Sequence, residues 1–474
     1  LPIYSFKAVL DQHQLLGFRW LCYLNEKQAG GLLADDMGVG KTAQVIALLT
    51  QLHEDHRLSP ALVVLPKSLI TNWMSELLSF APTIDRIYVH ADADRSRSAD
   101  FLSSMNIVIT TYDTARLDQV MLGGIDWTVV IADEAQFVKN PTAARTSVVK
   151  ALKSKQALAL TGTPVENGLI EFWCIMDYVQ PGLLKSWSEF RSSYERPLVE
   201  ADTGEERELL VETLLGELDP HFLRRMKEEV LRDLPPKHYQ PPILVSLGDL
   251  QKRRYQEIVL AAKGAGRGAV LGAITRLLMT CAHPRASVDD WQHIAGEELI
   301  AECPKLQVTI EIVSGICRKN EKVLIFTGWK SVQRILQKAV WATFGVSAEI
   351  VNGDVTTRRQ AIIDQFRAEE GFGVLILAPE VAGFGLNIIE ANNVIHYTRP
   401  WNPAKENQAT DRVHRRGQTK PVTVYYPTVD GTVENKLAEL LSEKSQLTRD
   451  VLRPTSERTV SLDDLAEDLE LKDN

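Results

Sequence analysis

Short apolar runs alternate with polar loops and segments of helical spacing along most of the chain. In the first third the runs fall at Gly31–Ala34, Ala61–Leu65, Ile107–Thr110, Thr128–Ala132 and Ala157–Leu160. Each is followed by a polar loop and, usually, by apolar positions three and four apart, the spacing of a helix with one buried face. That alternation predicts a parallel sheet covered by helices. A second set, Lys322–Phe326, Ala348–Val351, Val374–Leu377, Val394–Tyr397 and Val422–Tyr425, predicts a second parallel sheet. Between the sets, Ile170–Leu234 and Gln251–Cys281 carry mostly helical spacing.

Pro235-Pro236 and Pro241-Pro242 interrupt that stretch, because consecutive prolines cannot continue a helix. The boundary is placed there. It gives a first domain, 1–238, with a helical insertion over about 170–234, and a second, 239–455, with a helical protrusion over about 250–300. An acidic tail, 456–474, closes the chain. In it, Ser461-x-x-Asp464 has the form of a capping box and leads Leu462, Leu465 and Leu469 on one helical face. Such a helix either packs on the body or binds a partner.

At 474 residues and 53.0 kDa the chain has room for two or three domains. With 45% hydrophobic and 24% charged residues it is neither collagen-like, coiled-coil nor wholly disordered. No apolar run approaches the roughly 20 residues a membrane-spanning helix needs. The opening Leu1-Pro2-Ile3-Tyr4 has no initiator Met and no export signal, as expected of a piece of something longer. The net charge of −9 argues at first against a nucleic-acid partner. Its distribution weakens that objection: Glu457–Asn474 holds seven acids against two bases, whereas Lys405–Lys420 holds five bases against two acids. Five scattered cysteines with no C-x-x-C pair predict buried free thiols. His53-Glu54-Asp55-His56 lacks the spacing of a zinc-protease helix and reads as a solvated loop.

Four strings carry chemistry. Asp35-Asp36-Met37-Gly38-Val39-Gly40-Lys41-Thr42 lies between an apolar strand and a helical segment. Its glycines let the backbone curl so that N–H groups face a phosphate at a helix N-terminus. Lys41 would reach the terminal phosphates and Thr42 would hold Mg2+. Asp35 stands where the usual motif has its first Gly, so a generic turn before a helix also fits. Asp133-Glu134-Ala135-Gln136 ends another apolar run, where Asp133 would hold Mg2+ and Glu134 would deprotonate a water; an acidic helix start is the plainer alternative. Thr161 and Thr163, in Leu160-Thr161-Gly162-Thr163-Pro164, would sense the phosphates, or simply form a turn. Arg412 and Arg415, three apart and on one helical face, would stabilise phosphoryl-transfer charge, or belong to a solvated basic helix.

In order along the chain these strings resemble the SWI/SNF-type ATPases of helicase superfamily two, the chromatin-remodeller-like DNA translocases. Gln14 with Leu15-Leu16-Gly17-Phe18-Arg19-Trp20-Leu21 looks like the adenine-reading Q motif. The phosphate loop resembles the family's D-E-M-G-L-G-K-T, with Asp36 and Val39 as departures. Val64-Leu65-Pro66-Lys67-Ser68-Leu69 with Asn72-Trp73 looks like motif Ia, and Ile109-Thr110-Thr111-Tyr112 like Ib. Phe222-Leu223-Arg224-Arg225-Met226-Lys227 through Leu234-Pro235-Pro236-Lys237 is similar to the family's insertion and linker, and Leu277–Pro284 to its protrusion. Val323–Phe326, Asn352-Gly353-Asp354 and Gly383-Phe384-Gly385-Leu386-Asn387 with Arg399-Pro400-Trp401-Asn402-Pro403 look like motifs IV, IVa and V. The string Arg412 to Gln418 is close to the family's R-A-H-R-I-G-Q, with Arg416 where Ile is usual.

The resemblance implies an α/β chain of two RecA-like parallel-sheet lobes with ATP in the cleft between them. It implies a DNA-dependent ATP hydrolase using ATP and Mg2+, with Gln136, Thr161, Thr163 and Gln408 coupling the nucleotide site to motion. Duplex DNA would be held mostly by its backbone, with Lys67, Thr111, Gly353 and Asn387 as contacts and a DNA-bound protein as cargo. The alternatives are a strand-separating or RNA-directed helicase, and a nucleotide-gated clamp or scaffold that does not hydrolyse. A monomer is expected, without a membrane partner. Short loops favour a prokaryotic, nucleoid-associated setting; a eukaryotic member would be nuclear.

Overall fold

Runs of three to five Val, Ile and Leu residues become strands buried on both faces, as Ala61–Leu65 and Ile107–Thr111 are throughout. The computed structural model describes residues 3–165, 168–201, 204–263, 267–288, 290–355, 358–380, 386–439 and 441. They form two units, one ending at Arg232 and one beginning at Asp233, and each has a parallel sheet.

In the first unit β1 (Gly31–Leu33), β2 (Ala61–Leu65), β3 (Ile87–His90), β4 (Ile107–Thr111), β5 (Val129–Asp133), β6 (Ala157–Leu160) and β7 (Phe222–Leu223) run in the order β3-β4-β2-β5-β6-β1-β7. Every pairing is parallel, so all strands point their carboxyl ends at one edge. Alternate residues feed opposite faces. Leu32, Leu62, Val64 and Val130 pack with Trp127, Phe172 and Phe190 on one side. Leu33, Val63, Ile109 and Ile131 pack with Leu21, Val45 and Trp73 on the other.

In the second unit β8 (Lys237–Tyr239), β9 (Ile243–Val245), β10 (Lys322–Phe326), β11 (Glu349–Val351), β12 (Gly373–Leu377), β13 (Asn393–His396), β14 (Val422–Tyr425) and β15 (Pro427–Val429) follow. Six of them form a parallel sheet ordered β11-β12-β10-β13-β14-β8, and β9 pairs with β15 alone. The protrusion is the helix pair Asp249–Ala262 and Arg267–Ala282, which shares a core with Val429, Val433 and Leu437.

The strands foreseen from apolar runs are present within a residue at either end. Those not foreseen are edge or very short strands. β3 shows one half-buried face after another, and β7 is two residues inside a stretch of helical spacing. The reading of His53-Glu54-Asp55-His56 as a loop is corrected: the helix Lys41–Glu54 runs through the first two, and Glu54 accepts a hydrogen bond from Ser5 N at 2.6 Å. All five cysteines are free, with Cys174, Cys281 and Cys303 buried. No helix of the described residues is long and apolar enough to cross a membrane. The acidic tail with Ser461 and Asp464 lies outside the described residues, as do Gly383, Phe384 and Gly385.

Candidate active site

The phosphate loop leaves the carboxyl end of β1 and enters the helix at Lys41. Gly38 and Gly40 take φ of 80° and 90°, a left-handed backbone that side chains resist. Gly40 also has no room for one, since a Cβ would lie 2.1 Å from Gln14 Nε2. The Gln14 amide donates to Val39 O at 3.1 Å, and its carbonyl accepts from Asp11 N at 3.0 Å. Gln14 therefore braces the loop from outside.

Lys41 Nζ donates to the carbonyls of Asp35 at 2.6 Å and Asp36 at 3.1 Å. Burial lowers its pKa, while Glu134, Asp35, Asp133 and Asp36 pull it back. The carboxylates of the two loop aspartates are engaged within the protein. Asp35 is fully buried against Arg225, whose Nε donates to Asp35 Oδ1 at 3.0 Å and whose Nη2 pairs with Oδ2. Asp36 Oδ2 accepts from Lys227 N at 3.0 Å. A carboxylate beside three phosphates would repel them, and both are instead turned onto cationic or N–H partners. Met37 packs against Gly162, where a Cβ would lie 2.7 Å from Met37 Cγ.

Two strands along, β5 delivers Asp133 and Glu134. Asp133 accepts from Trp73 Nε1 at 2.7 Å and from Glu134 N at 2.8 Å. Burial, with the neighbouring Glu134 charge, pushes its carboxyl up to about 7 despite those bonds and Lys41. Glu134 sits at φ 51°, ψ 56°, left-handed for a residue with a side chain. Its carboxylate accepts from Gln136 Nε2 at 2.7 Å, and Gln136 Oε1 accepts the Thr161 hydroxyl at 3.0 Å. Thr161 Oγ1 in turn accepts from Thr163 N at 3.0 Å. The structure thus joins Glu134, Gln136, Thr161 and Thr163 in one hydrogen-bonded chain, while Gln408, the fourth residue expected to couple, lies in the second unit.

No cluster of three His, Cys, Asp or Glu side chains suited to a metal exists among the described residues. Mg2+ held by one carboxylate, a hydroxyl and substrate phosphates needs none. Asp133 lies at the carboxyl end of β5 and Thr42 at the start of the loop's helix, a carboxylate and a hydroxyl of the kind such a site would use.

In the second unit the structure corrects the helical placement of the arginines. The helix Pro403–Thr410 carries half-buried Gln408 and ends before them. Residues 411–417 are successive turns. Arg412 is buried, its carbonyl accepting from Ile388 N at 3.0 Å, and Arg415 is half-buried. Gln418 fixes the turns from within, donating to Ile389 O and Ala391 O at 2.9 Å each.

The four candidate DNA contacts follow carboxyl ends of strands. Lys67 is exposed after β2; Gly353 and Asn387 are exposed after β11 and β12. Thr111 is buried at the end of β4, where its hydroxyl accepts from Thr114 N at 3.1 Å as a helix cap. The sequence reading did not assign site roles to Trp73, Arg225 or Gln418. A buried Asp35 in place of a glycine signalled that some cation must answer it, but not which one.

A family model described as SNF2-related domain matches residues 13–288, and one described as helicase conserved C-terminal domain matches 304–417. The Zorya protein ZorD of Escherichia coli is 38% identical over 495 residues, covering 94% of this chain and 45% of the relative. The putative ATP-dependent helicase/translocase YwqA of Bacillus subtilis is 34% identical, with 95% and 49% covered. The chain spans less than half the length of either. A solved Sulfolobus solfataricus SWI2/SNF2 ATPase core in complex with dsDNA is 33% identical, with 98% of each chain covered and a TM-score of 0.49.

Proposed function

The chain belongs to the SNF2-related family, the SWI/SNF-type ATPases, and from that premise we propose an ATP-driven motor that moves along duplex DNA and displaces or slides proteins bound there. The observation that carries the reading is the chain of hydrogen bonds from Glu134 through Gln136 to Thr161, on the same sheet edge as Lys41 and its loop.

Loop N–H groups and Lys41 hold the phosphates of ATP, Lys41 exchanging its carbonyl partners for phosphate oxygens. Asp133 and Thr42 would hold Mg2+, which supplies charge neutralisation at the phosphates. Glu134 Oε1 or Oε2 takes a proton from the attacking water, and Gln136 orients that carboxylate. Arg412 and Arg415 supply positive charge to the transferring phosphoryl group. The γ-phosphate leaves with the water's oxygen, and its departure is felt by Thr161 and Thr163 through Gln136. Lys67, Gly353 and Asn387 meet the DNA backbone, so binding is largely independent of sequence and falls with salt. A monomer suffices for this scheme.

The test is steady-state ATP hydrolysis alone and with duplex DNA, single-stranded DNA or RNA, with Glu134→Gln as blank. Stimulation by duplex DNA that declines with salt is expected. Stimulation by RNA or single strands only would replace the translocase with a helicase, and hydrolysis in the blank equal to wild type would remove Glu134 from the scheme.

A further inference from the structure

The segment that joins the two units begins and ends as an edge strand, and each end is fastened to a nucleotide motif of its own unit. At the first end β7 lies beside β1, the strand that delivers the phosphate loop, with Leu32 opposite Phe222 and Leu33 opposite Leu223. Two residues on, Arg225 O accepts from Asp36 N at 3.1 Å, and Lys227 N donates to Asp36 Oδ2 at 3.0 Å. The Arg225 guanidinium enters a space that Gly17 leaves open, where a Cβ would lie 2.8 Å from Nη2. There it reaches Asp35, Gln44 Oε1 at 2.8 Å and the His13 carbonyl. One side chain thus ties the helix before the loop, the loop, and the helix after it. A buried Arg–carboxylate pair with two parallel bonds fixes angle as well as distance.

At the other end β8 lies beside β14, the strand that follows the arginine turns, with Lys237 opposite Val422. Lys237 Nζ donates to Asp411 Oδ1 at 3.3 Å, next to Arg412. His414 Nε2, between Arg412 and Arg415, bonds Pro235 O at 2.7 Å, and Val422 N donates to Pro236 O at 3.1 Å. Only residues 228–234 separate the two fastenings. Nothing in sheet packing alone requires a linker to hold the phosphate loop at one end and the arginine turns at the other.

Resting on the ATPase reading above, we propose that this segment is a coupling strap, and that Arg225 and Lys237 are positioning residues that set the phosphate loop and the arginine turns in register with its two ends. Neither touches substrate. Arg225 acts through Asp35 and the loop backbone; Lys237 acts through Asp411 on Arg412. When the loop changes shape around phosphate, Asp36 moves both its contacts with 225–227, and the displacement enters the strap.

The experiment compares wild type, Arg225→Gln, Arg225→Lys, Lys237→Gln and a chain with four Gly/Ser residues inserted between the exposed Arg232 and Asp233. All are checked for folding by thermal melting, then assayed for ATP KM and kcat with and without duplex DNA. Arg225→Gln is expected to raise KM by roughly tenfold or more through a misplaced loop, with partial rescue in Arg225→Lys. Lys237→Gln should keep KM and lose roughly tenfold in kcat. The insertion, which falls between two exposed residues outside both fastenings, should keep basal hydrolysis and lose most of the stimulation by DNA. Wild-type KM, kcat and stimulation in the folded variants would overturn the strap while leaving the ATPase reading intact. Wild type that does not hydrolyse ATP with any nucleic acid would instead overturn the reading it rests on.

Discussion

Gln136 Nε2 donates to Glu134 Oε2 at 2.7 Å, so the carboxylate assigned as base is held by a residue two positions along the same turn. The arrangement depends on the left-handed backbone at Glu134, which curls the chain back and costs about 1–2 kcal/mol for a residue with a side chain. With the other end of its amide on Thr161, Gln136 has a single orientation that satisfies both partners. Gln136→Leu should therefore lower kcat by roughly tenfold to a hundredfold with little change in KM for ATP. A changed KM with kcat intact would show that Gln136 serves binding instead.

Lys41 and Glu134 separate binding from chemistry. Lys41→Ala should abolish detectable ATP binding in a fluorescent-nucleotide titration. Glu134→Gln should bind as wild type yet lose roughly 10²–10⁴ in kcat, because the amide cannot take the proton. Equal binding losses in both variants would contradict the division of labour.

The two arginines of the turns should part company. Arg412 is 4% exposed and lies in the packed turn that Ile388 and Gln418 hold, so Arg412→Ala should lower the melting temperature of its unit as well as activity. Arg415 is half-buried, and Arg415→Ala should melt like wild type while kcat falls by about 10³ or more. A stable Arg412→Ala with full activity would take that residue out of the site.

Two buried histidines set an acid limit on the second unit. Burial pushes His283 and His396 each down to about 4 from an ordinary 6.5. His283 also uses both ring nitrogens, Nε2 on Leu299 O at 3.0 Å and Nδ1 accepting from Arg285 N at 3.2 Å, so a second proton would break the latter bond. The unfolded chain takes up protons near 6.5 and the folded unit does not until about 4. Stability is therefore full above 6.5 and is lost as pH falls toward 4, by at most ~1.4 kcal/mol per pH unit for each ring. Urea unfolding at pH 7 and pH 5 should show the loss, and His283→Gln should reduce the difference between the two. An equal pH dependence in that variant would assign the effect elsewhere.

Lys67 is exposed beyond β2 and has the simplest signature. If it meets a DNA phosphate, Lys67→Ala should weaken duplex binding at every sequence and reduce the slope of log affinity against log salt by about 1. An unchanged slope would move the contact to another residue.

The apolar runs made the two parallel sheets legible because a strand buried on both faces must be apolar throughout, and few other structures demand that of five residues. β3, half-buried at the sheet edge, and β7, two residues long, gave no such signal. The glycines at 38 and 40, the lysine after them and the acidic pair after β5 were legible for a related reason: the chemistry fixes residue types at close spacing. The arginines misled because spacing of three suggests a helix, whereas residues 411–417 are turns held by Gln418.

The sequence by itself determined the fold class, the phosphate loop, the order of the motifs and the family, all of which are local patterns or their succession. Only the tertiary structure decided that Asp35 faces Arg225, that Trp73 holds Asp133, and that His414 meets the Pro235 carbonyl. Those pairs lie 190, 60 and 179 residues apart. A buried charge or N–H group needs a partner but does not care where in the chain the partner comes from, so the need can be read from the sequence and the partner cannot.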